Sequence, residues 1–389
     1  MRVLVVIPSF YPAIIYGGPI FSTLNNCKEL ARLEDMNVYV SSTNADMNSR
    51  LNVEVNRYIE LETRFKVKYY NETIIGKFSL DFFLNILKDI KKSDVIHIQS
   101  LFSTTTITSL FYARIFQKPI LLSPRGQLGG WSIKSGSSFK QLWLRLFIKP
   151  FSKYVVWHAT AAHEKKDIFK IFPQAKVQVI SNGIEYGMFQ KFTALTRQEF
   201  LRKYVDIEVD VDKIIISLGR LQKVKGFDIL IASFDKILSK HPNSKLLIAG
   251  QDEGEEGNLK KQIAKLNLLN KVFLVGSISG KDKIDFLANA DLFALPSHNE
   301  NFGNVYLESL AAGTPIIASK NTPWKNIVTA NCGKWVENTV EETSKAMLEI
   351  LEKDRILMRK NSIKLAGNYN WPIVAMQFKK LFISMVNDE

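Results

Sequence analysis

The chain reads as an α/β protein made of two Rossmann-like domains, each built on a parallel sheet. Three observations predict this. Short, continuous apolar runs alternate with stretches long enough for helices, which is the rhythm of βαβ units. The rhythm breaks around residues 186–212 and then restarts. The length, 389 residues, exceeds what one ordinary core accommodates. Two such domains facing each other would make a cleft lined by the carboxyl ends of their strands, where ligands of open α/β sheets bind.

The strand-like runs of the first half are 2–7, 37–42, 65–70, 94–98, 119–123, 154–159 and 177–181. Most are apolar along their whole length, as expected of strands covered on both faces. The second series is 213–219, 245–250, 271–276, 291–297 and 315–319. Between the two series, VDIEVDVDK (205–213) is acidic and polar and reads as a linker. No internal repeat or low-complexity tract interrupts the pattern.

Composition bounds the function. Hydrophobic residues make up 46 % and charged residues 23 %, which fits a soluble globular protein. No apolar run approaches the roughly 20 residues of a membrane span. The opening MRVLVVIPSF reads as a strand rather than a signal peptide. Cys27 and Cys332 have neither metal-ligand spacing nor a disulfide framework, so two ordinary thiols in a reducing cytoplasm are expected. The net charge of +14 favours an anionic partner. The cations are dispersed and no aromatic–basic platform occurs, which favours phosphates and a membrane surface over nucleic acid.

Three stretches carry chemistry. In SLGRLQKVKGFDILI a buried strand ends at Gly219, Arg220 and Lys225 follow, and a helix begins near Gly226. Two cations there suit a diphosphate; on spacing alone, solvated loop cations are as good a reading. In FYPAIIYGGPIFSTL a loop ending at Gly17 and Gly18 precedes a helix. Glycines let backbone N–H groups approach a ligand, although a plain turn also accounts for them. In SHNENFGNVYLESLAAGTPIIAS, Glu300 sits in a loop before a helix and Glu308 within that helix. Their separation, about 12 Å along a helical path, suits two carboxylates on two parts of one extended ligand. N–H groups near Phe302, Gly303 and Asn304 would hold a phosphate between them. Glu308 lies among Tyr306, Leu307, Leu310 and Ala311, so its carboxylate needs a partner.

ENFGNVYLE resembles the E-x7-E motif of retaining glycosyltransferases of the GT4 type, which have the GT-B fold. Supporting pieces follow in family order: YGGP, SPRGQL, VISNGIE, LGRLQKVKGFDILI, IAGQDEG, VGSIS and a late NYNWPIVAMQF. The resemblance implies an acceptor-binding domain at 1–190, a donor-binding domain at 191–371, and residues 372–389 crossing back to the first. It implies Arg220, Lys225 and Glu300 as catalytic residues. The two cations would hold the donor diphosphate and Glu300 the hydroxyls of the donor sugar. Phe302, Gly303 and Asn304 would line the pocket with backbone, and Glu308 would bind the ribose. Gly17, Gly18, Asn182, Gly276 and Ser277 would complete the donor site. The expected reaction is metal-independent transfer, with retention, from a UDP- or GDP-linked sugar to a glycan or polyprenyl-linked acceptor. It would serve cell-surface polysaccharide, lipopolysaccharide or glycolipid synthesis. A GT-B nucleotide-sugar epimerase and a non-catalytic membrane-associated scaffold are the alternatives.

Two positions depart from the family pattern. Arg125 replaces a histidine common in relatives, and Gln99 stands where they often have a second one. Arginine is no base at neutral pH, but it binds phosphates or sugar hydroxyls. His97 reads equally as an acceptor-side group or as a strand-end core histidine. No cofactor and no metal is expected, and the DVD at 210–212 reads as linker charge. Residues 134–154 mix aromatic and basic side chains. They read as a helix lying on anionic lipid or as a core helix with a wet face, the net charge favouring lipid. The expected location is the cytoplasm, peripheral to the membrane.

Overall fold

The structure is a computed structural model that describes residues 1–47, 49–72, 78–130, 138–192, 195–205 and 211–387. The chain forms two compact units: Met1–Gly183 with Trp371–Glu389, and Ile184–Asn370. The expected division at 190/191, with a return at 372, thus lies several residues late at the first crossing and one late at the second.

Unit 1 holds an eight-stranded sheet. Its strands are β1 (Arg2–Ser9), β2 (Asn37–Thr43), β5 (Tyr58–Glu62), β6 (Phe65–Tyr70), β7 (Val95–Gln99), β8 (Ile120–Ser123), β9 (Val156–Ala159) and β10 (Lys176–Val179), with β3 (Ala45–Asp46) and β4 (Ser49–Arg50) pairing separately. The order is β10-β9-β8-β7-β1-β2-β6-β5, parallel except for β5, which pairs antiparallel with β6 at the edge. Its helices are α1 (Gly18–Arg32), α2 (Leu80–Lys91), α3 (Thr104–Ile115), α4 (Ser138–Trp143), which continues as a π-helical turn over Leu144–Ile148, and α5 (Ala162–Ile171).

The sheet is buried on both faces, as its unbroken apolar runs imply. Val3, Val5 and Ile7 of β1 face a cluster with α1 and the C-terminal helix Trp371–Asn387. Leu4 and Val6 face the other side, with α2, α3 and α5. The C-terminal helix belongs here because Trp371, Val374, Phe378 and Phe382 are buried in that first cluster. Ser79 and Ser103 cap α2 and α3 by accepting N–H bonds from Phe82 and Thr105.

Unit 2 holds β11 (Ile214–Leu218), β12 (Lys245–Ala249), β13 (Val272–Leu274), β14 (Leu292–Leu295), β15 (Ile316–Ser319) and β16 (Gly333–Val336), all parallel. Their order is β13-β12-β11-β14-β15-β16. The helices are α6 (Tyr186–Gln190), α7 (Arg197–Val205), α8 (Phe227–Ile237), α9 (Glu256–Lys265), α10 (Gly280–Ala288), α11 (Asn304–Ala311), α12 (Asn326–Thr329), α13 (Val340–Leu351) and α14 (Arg355–Gly367). The chain moves outward from β11 to β13, then returns to the other side of β11 as β14. The switch point therefore lies between β11 and β14, where open α/β sheets bind ligands.

The linker reading of 205–213 needs correction. The unit boundary falls at 183/184, so the stretch belongs to unit 2. Val211 is buried, and Arg197 of α7 donates to the carbonyls of Val211 and Asp212 and to Asp291 Oδ2, each at 3.0 Å. Asp210, the first residue of the DVD string, lies outside the described residues. Cys27 and Cys332 are free and buried. Among the described residues no helix is long and apolar enough to cross a membrane.

Candidate functional site

In unit 2 the charged residues converge on the switch point. The loop after β11 turns through a 3-10 helix, Lys223–Lys225, into α8. Gly226 between them has φ +68, and a Cβ there would lie 2.3 Å from the Pro296 carbonyl oxygen. Only glycine lets this loop press against the loop after β14. His298 N–H donates to Val224 O at 2.8 Å and ties the two loops together. Lys225 and Glu300, 75 positions apart, consequently meet: Lys225 Nζ donates to Glu300 Oε1, with both side chains only 15 % and 13 % exposed.

Gly303 starts α11 at φ +74, in the left-handed region. The first turn of a helix presents N–H groups that favour an anion. Phe302 is buried, and its carbonyl accepts from Trp324 Nε1 at 2.7 Å, so this backbone is held from behind. Glu308 lies in the second turn of α11. The partner its sequence position demands is Lys283 of α10, at 2.7 Å. Arg220 is more exposed and donates from Nη1 to both oxygens of Glu253, at 3.0 and 3.2 Å; Gln222 Nε2 donates to the same carboxylate. Gly276 and Ser277 are exposed just past β13, where Gly276 O accepts from Gly250 N at 2.8 Å.

The structure thus brings together Lys225 with Glu300, and sets Arg220, Gly303, Asn304 and Glu308 on the same carboxyl edge of the unit 2 sheet. Sequence reasoning missed Glu253 and Lys283. Glu253 lies inside the quoted IAGQDEG, three residues before α9. Lys283 is one cation of KDK on a helix surface, and only the fold shows that it faces Glu308.

In unit 1, Gly17 (φ +70) and Gly18 form the start of α1, beyond the carboxyl end of β1. His97 needs correction as an acceptor-side candidate. It is fully buried, with its ring 5.6 Å from that of Phe378 and 6.0 Å from that of Phe382. Its Nε2 hydrogen bonds Ser123 Oγ at 2.8 Å, Ser123 Oγ meets His158 Nδ1 at 2.7 Å, and His158 Nε2 donates to Ile180 O at 2.8 Å. This is a core network. Burial holds His97 well below the usual histidine range, and His158 is lowered to about 3.

Arg125 is part-buried, just past β8, with left-handed backbone at φ +55. Ser100, just past the neighbouring β7, has φ +76. For a non-glycine residue that conformation costs roughly 1–2 kcal/mol. Arg125 Nε donates to Gln99 Oε1 at 2.6 Å and Nη1 to Asn182 Oδ1 at 3.0 Å. Asn182, expected in the donor set, is therefore a neighbour of Arg125 in unit 1. Burial lowers the arginine to about 10, which leaves it cationic at neutral pH.

Residues 204–366 match the family described as glycosyl transferases group 1. The chain is 35 % identical over 157 residues to an uncharacterized glycosyltransferase of Methanocaldococcus jannaschii, covering 40 % of each chain. It is 27 % identical over 241 residues to the alpha-monoglucosyldiacylglycerol synthase of Streptococcus pneumoniae, covering 60 % of this chain and 54 % of that one. The chain thus spans about half the length of these curated relatives. The fold superposes on Anabaena HepE, solved in complex with UDP, with a TM-score of 0.75 at 18 % identity over 99 % of this chain and 100 % of that one. The match to the glycosyl transferases group 1 thus lies in residues 204–366, within a chain that has the GT-B fold.

Proposed function

We propose that the protein transfers a sugar, with retention and without a metal, from a UDP- or GDP-linked donor to a glycan or lipid-linked acceptor. Unit 2 would bind the donor and unit 1 the acceptor. The observation that carries this reading is the pair of lysine–carboxylate contacts, Lys225–Glu300 and Lys283–Glu308, on the carboxyl edge of the unit 2 sheet.

Transfer breaks the bond from the anomeric carbon to the donor phosphate oxygen and forms one to an acceptor hydroxyl oxygen; the bonding electrons leave with the diphosphate, and the hydroxyl proton is released with it. Lys225, Arg220 and the first N–H groups of α11 supply positive charge where that negative charge grows. Lys225 also holds Glu300 aimed, so that its second oxygen accepts a hydrogen bond from a donor-sugar hydroxyl. Glu308, oriented by Lys283, accepts from the ribose hydroxyls. HepE is described in complexes with UDP and with UDP-glucose, which supports a nucleotide-sugar donor.

Binding of UDP, GDP and ADP to the purified chain, with and without EDTA, tests this. One nucleotide should bind equally in EDTA, and Glu308→Ala should weaken it by about 10- to 100-fold, the equivalent of a charged hydrogen bond. Binding of none of the three would sink the reading.

We further propose that the protein works at the cytoplasmic membrane face. Phe139, Leu142, Leu146 and Phe147 are exposed, between 38 % and 62 %, while Leu144 and Ile148 turn inward to the core. Lys140, Arg145, Lys149 and Lys153 are interleaved with the exposed set. Lys134, the first residue of that segment, lies outside the described residues. The S. pneumoniae relative is named as a synthase of a glycolipid, which supports the same view. Sedimentation with vesicles containing anionic phospholipid should be lost in the triple variant Phe139→Ser, Leu142→Ser, Leu146→Ser. Equal sedimentation of both proteins would rule this surface out.

A further inference from the structure

We propose that Arg125, Gln99 and Asn182 form an oxyanion site in unit 1, and that the acceptor places a carboxylate or phosphate group there. That the ligand is the acceptor rests on the transferase reading; the site itself rests on unit 1 alone.

Three observations converge. First, Arg125 is a part-buried cation whose hydrogen bonds go to two neutral amides, Gln99 Oε1 and Asn182 Oδ1. Among the described residues it forms no salt bridge. A partly desolvated charge with no direct ion-pair partner is costly to hold, so such an arginine is poised for an anion. Second, Gln99 is 2 % exposed, and its Nε2 is buried without a hydrogen-bond partner. That nitrogen belongs to the amide that already engages Arg125, so a guanidinium and an unsatisfied N–H donor stand side by side. Third, no anionic group occupies the hydrogen-bonding edge of Arg125. Glu164 acts on it electrostatically, but its oxygens accept from Gly126 N at 2.6 Å, Thr160 N at 2.7 Å and Thr160 Oγ1 at 2.8 Å. Cys27, also near enough to be felt, is pushed up by burial and stays a neutral thiol.

The chemistry selects the ligand class. A planar fork with an amide N–H beside it matches the oxygens of a carboxylate or a phosphate. A neutral sugar hydroxyl would leave the charge uncompensated. The position fits a substrate group as well: β7 and β8 end here, and Asn182 follows β10, so the donors sit on the carboxyl edge of the unit 1 sheet.

The test uses the full chain and three probes: inorganic phosphate, methyl glucuronide and the neutral methyl glucoside, measured by equilibrium dialysis at low salt. Phosphate or glucuronide should bind, and glucoside should not. Arg125→Met should weaken the anion at least tenfold. Gln99→Glu is the decisive variant, because it places the missing carboxylate beside Arg125. It should keep or raise the thermal midpoint while removing one bound anion per chain. Phosphate alone would point to a phosphate-linked acceptor, and glucuronide alone to a uronate-bearing glycan. Failure of both anions to bind, or unchanged stoichiometry in Gln99→Glu, overturns the proposal. Nucleotide binding, followed in the same variants, separates the two readings: anion binding without nucleotide binding sinks the transferase and leaves the site standing.

Discussion

The two units share a plan, a parallel sheet with functional groups at the carboxyl ends of its strands, yet they treat charge in opposite ways. Unit 2 pairs its charges: Lys225 with Glu300, Lys283 with Glu308, Arg220 with Glu253. At the corresponding edge of unit 1 the groups are mainly neutral. Two buried histidines are bridged by Ser123, and Arg125 rests on two amides. The difference teaches how each edge meets a ligand. Paired side chains are held in place and still have unused donors and acceptors, so they are oriented before a ligand arrives. A cation on neutral partners is instead a place where an incoming anion completes the electrostatics.

The largest expected effect breaks the unit 2 side of this comparison. Lys225→Ala removes a cation proposed to face the departing phosphate and frees Glu300 from its ion pair. The rate of transfer, as kcat/KM with the nucleotide sugar that binds, should fall by about 100- to 1000-fold. A fall of less than tenfold would show that the Lys225–Glu300 pair is structural.

A smaller effect sharpens the unit 1 side. Folding lowers His158 to about 3 and holds His97 well below its ordinary value. The unfolded chain protonates these rings near pH 6.5, whereas the folded chain does not. Their contribution is therefore intact above about pH 6.5 and is lost as the pH falls from there towards 3. At pH 5, His158 alone should cost roughly 2 kcal/mol relative to pH 7.5. Urea midpoints at the two pH values should differ accordingly, and the gap should shrink in His158→Gln. Hydrogen exchange at pH 5 should loosen β7 to β9 of unit 1 ahead of β11 and β14 of unit 2. Equal loosening would remove the contrast between the units.

Most of the sheet was legible because parallel strands covered on both faces leave unbroken apolar runs. The exceptions have physical causes. The edge strand β5, Tyr-Ile-Glu-Leu-Glu, is only partly buried and carries no such run. The last strand, Gly-Lys-Trp-Val, mixes polar and apolar residues because three of its four positions are only half-buried. The segment 205–213 was misread because acidic composition resembles a linker. Its anchor, Arg197 on Asp291, joins residues 94 positions apart and leaves no local trace.

The site was legible in part. Arg220, Lys225 and Glu300 stood out because each follows a buried strand, and Glu308 because its carboxylate sits among apolar residues in the next helix. His97 was ambiguous because a histidine in an apolar strand looks the same whether it faces a ligand or a helix. The ring of Phe378, delivered by a helix some 280 residues later, decided it.

By itself the sequence determined the two-sheet organisation, the strands that carry the site, and the residue types offered at their ends. These are consequences of burial periodicity and local turn chemistry, which act over a few residues. Tertiary structure alone decided the partners. Lys225 meets Glu300 because β11 and β14 lie side by side at a chain reversal, and Lys283 meets Glu308 because α10 packs on α11. Arg125 is left without a carboxylate because Glu164 is spent on the backbone N–H groups of Gly126 and Thr160. Pairing of charges depends on distance in space, and distance in space is set by how strands are ordered in a sheet.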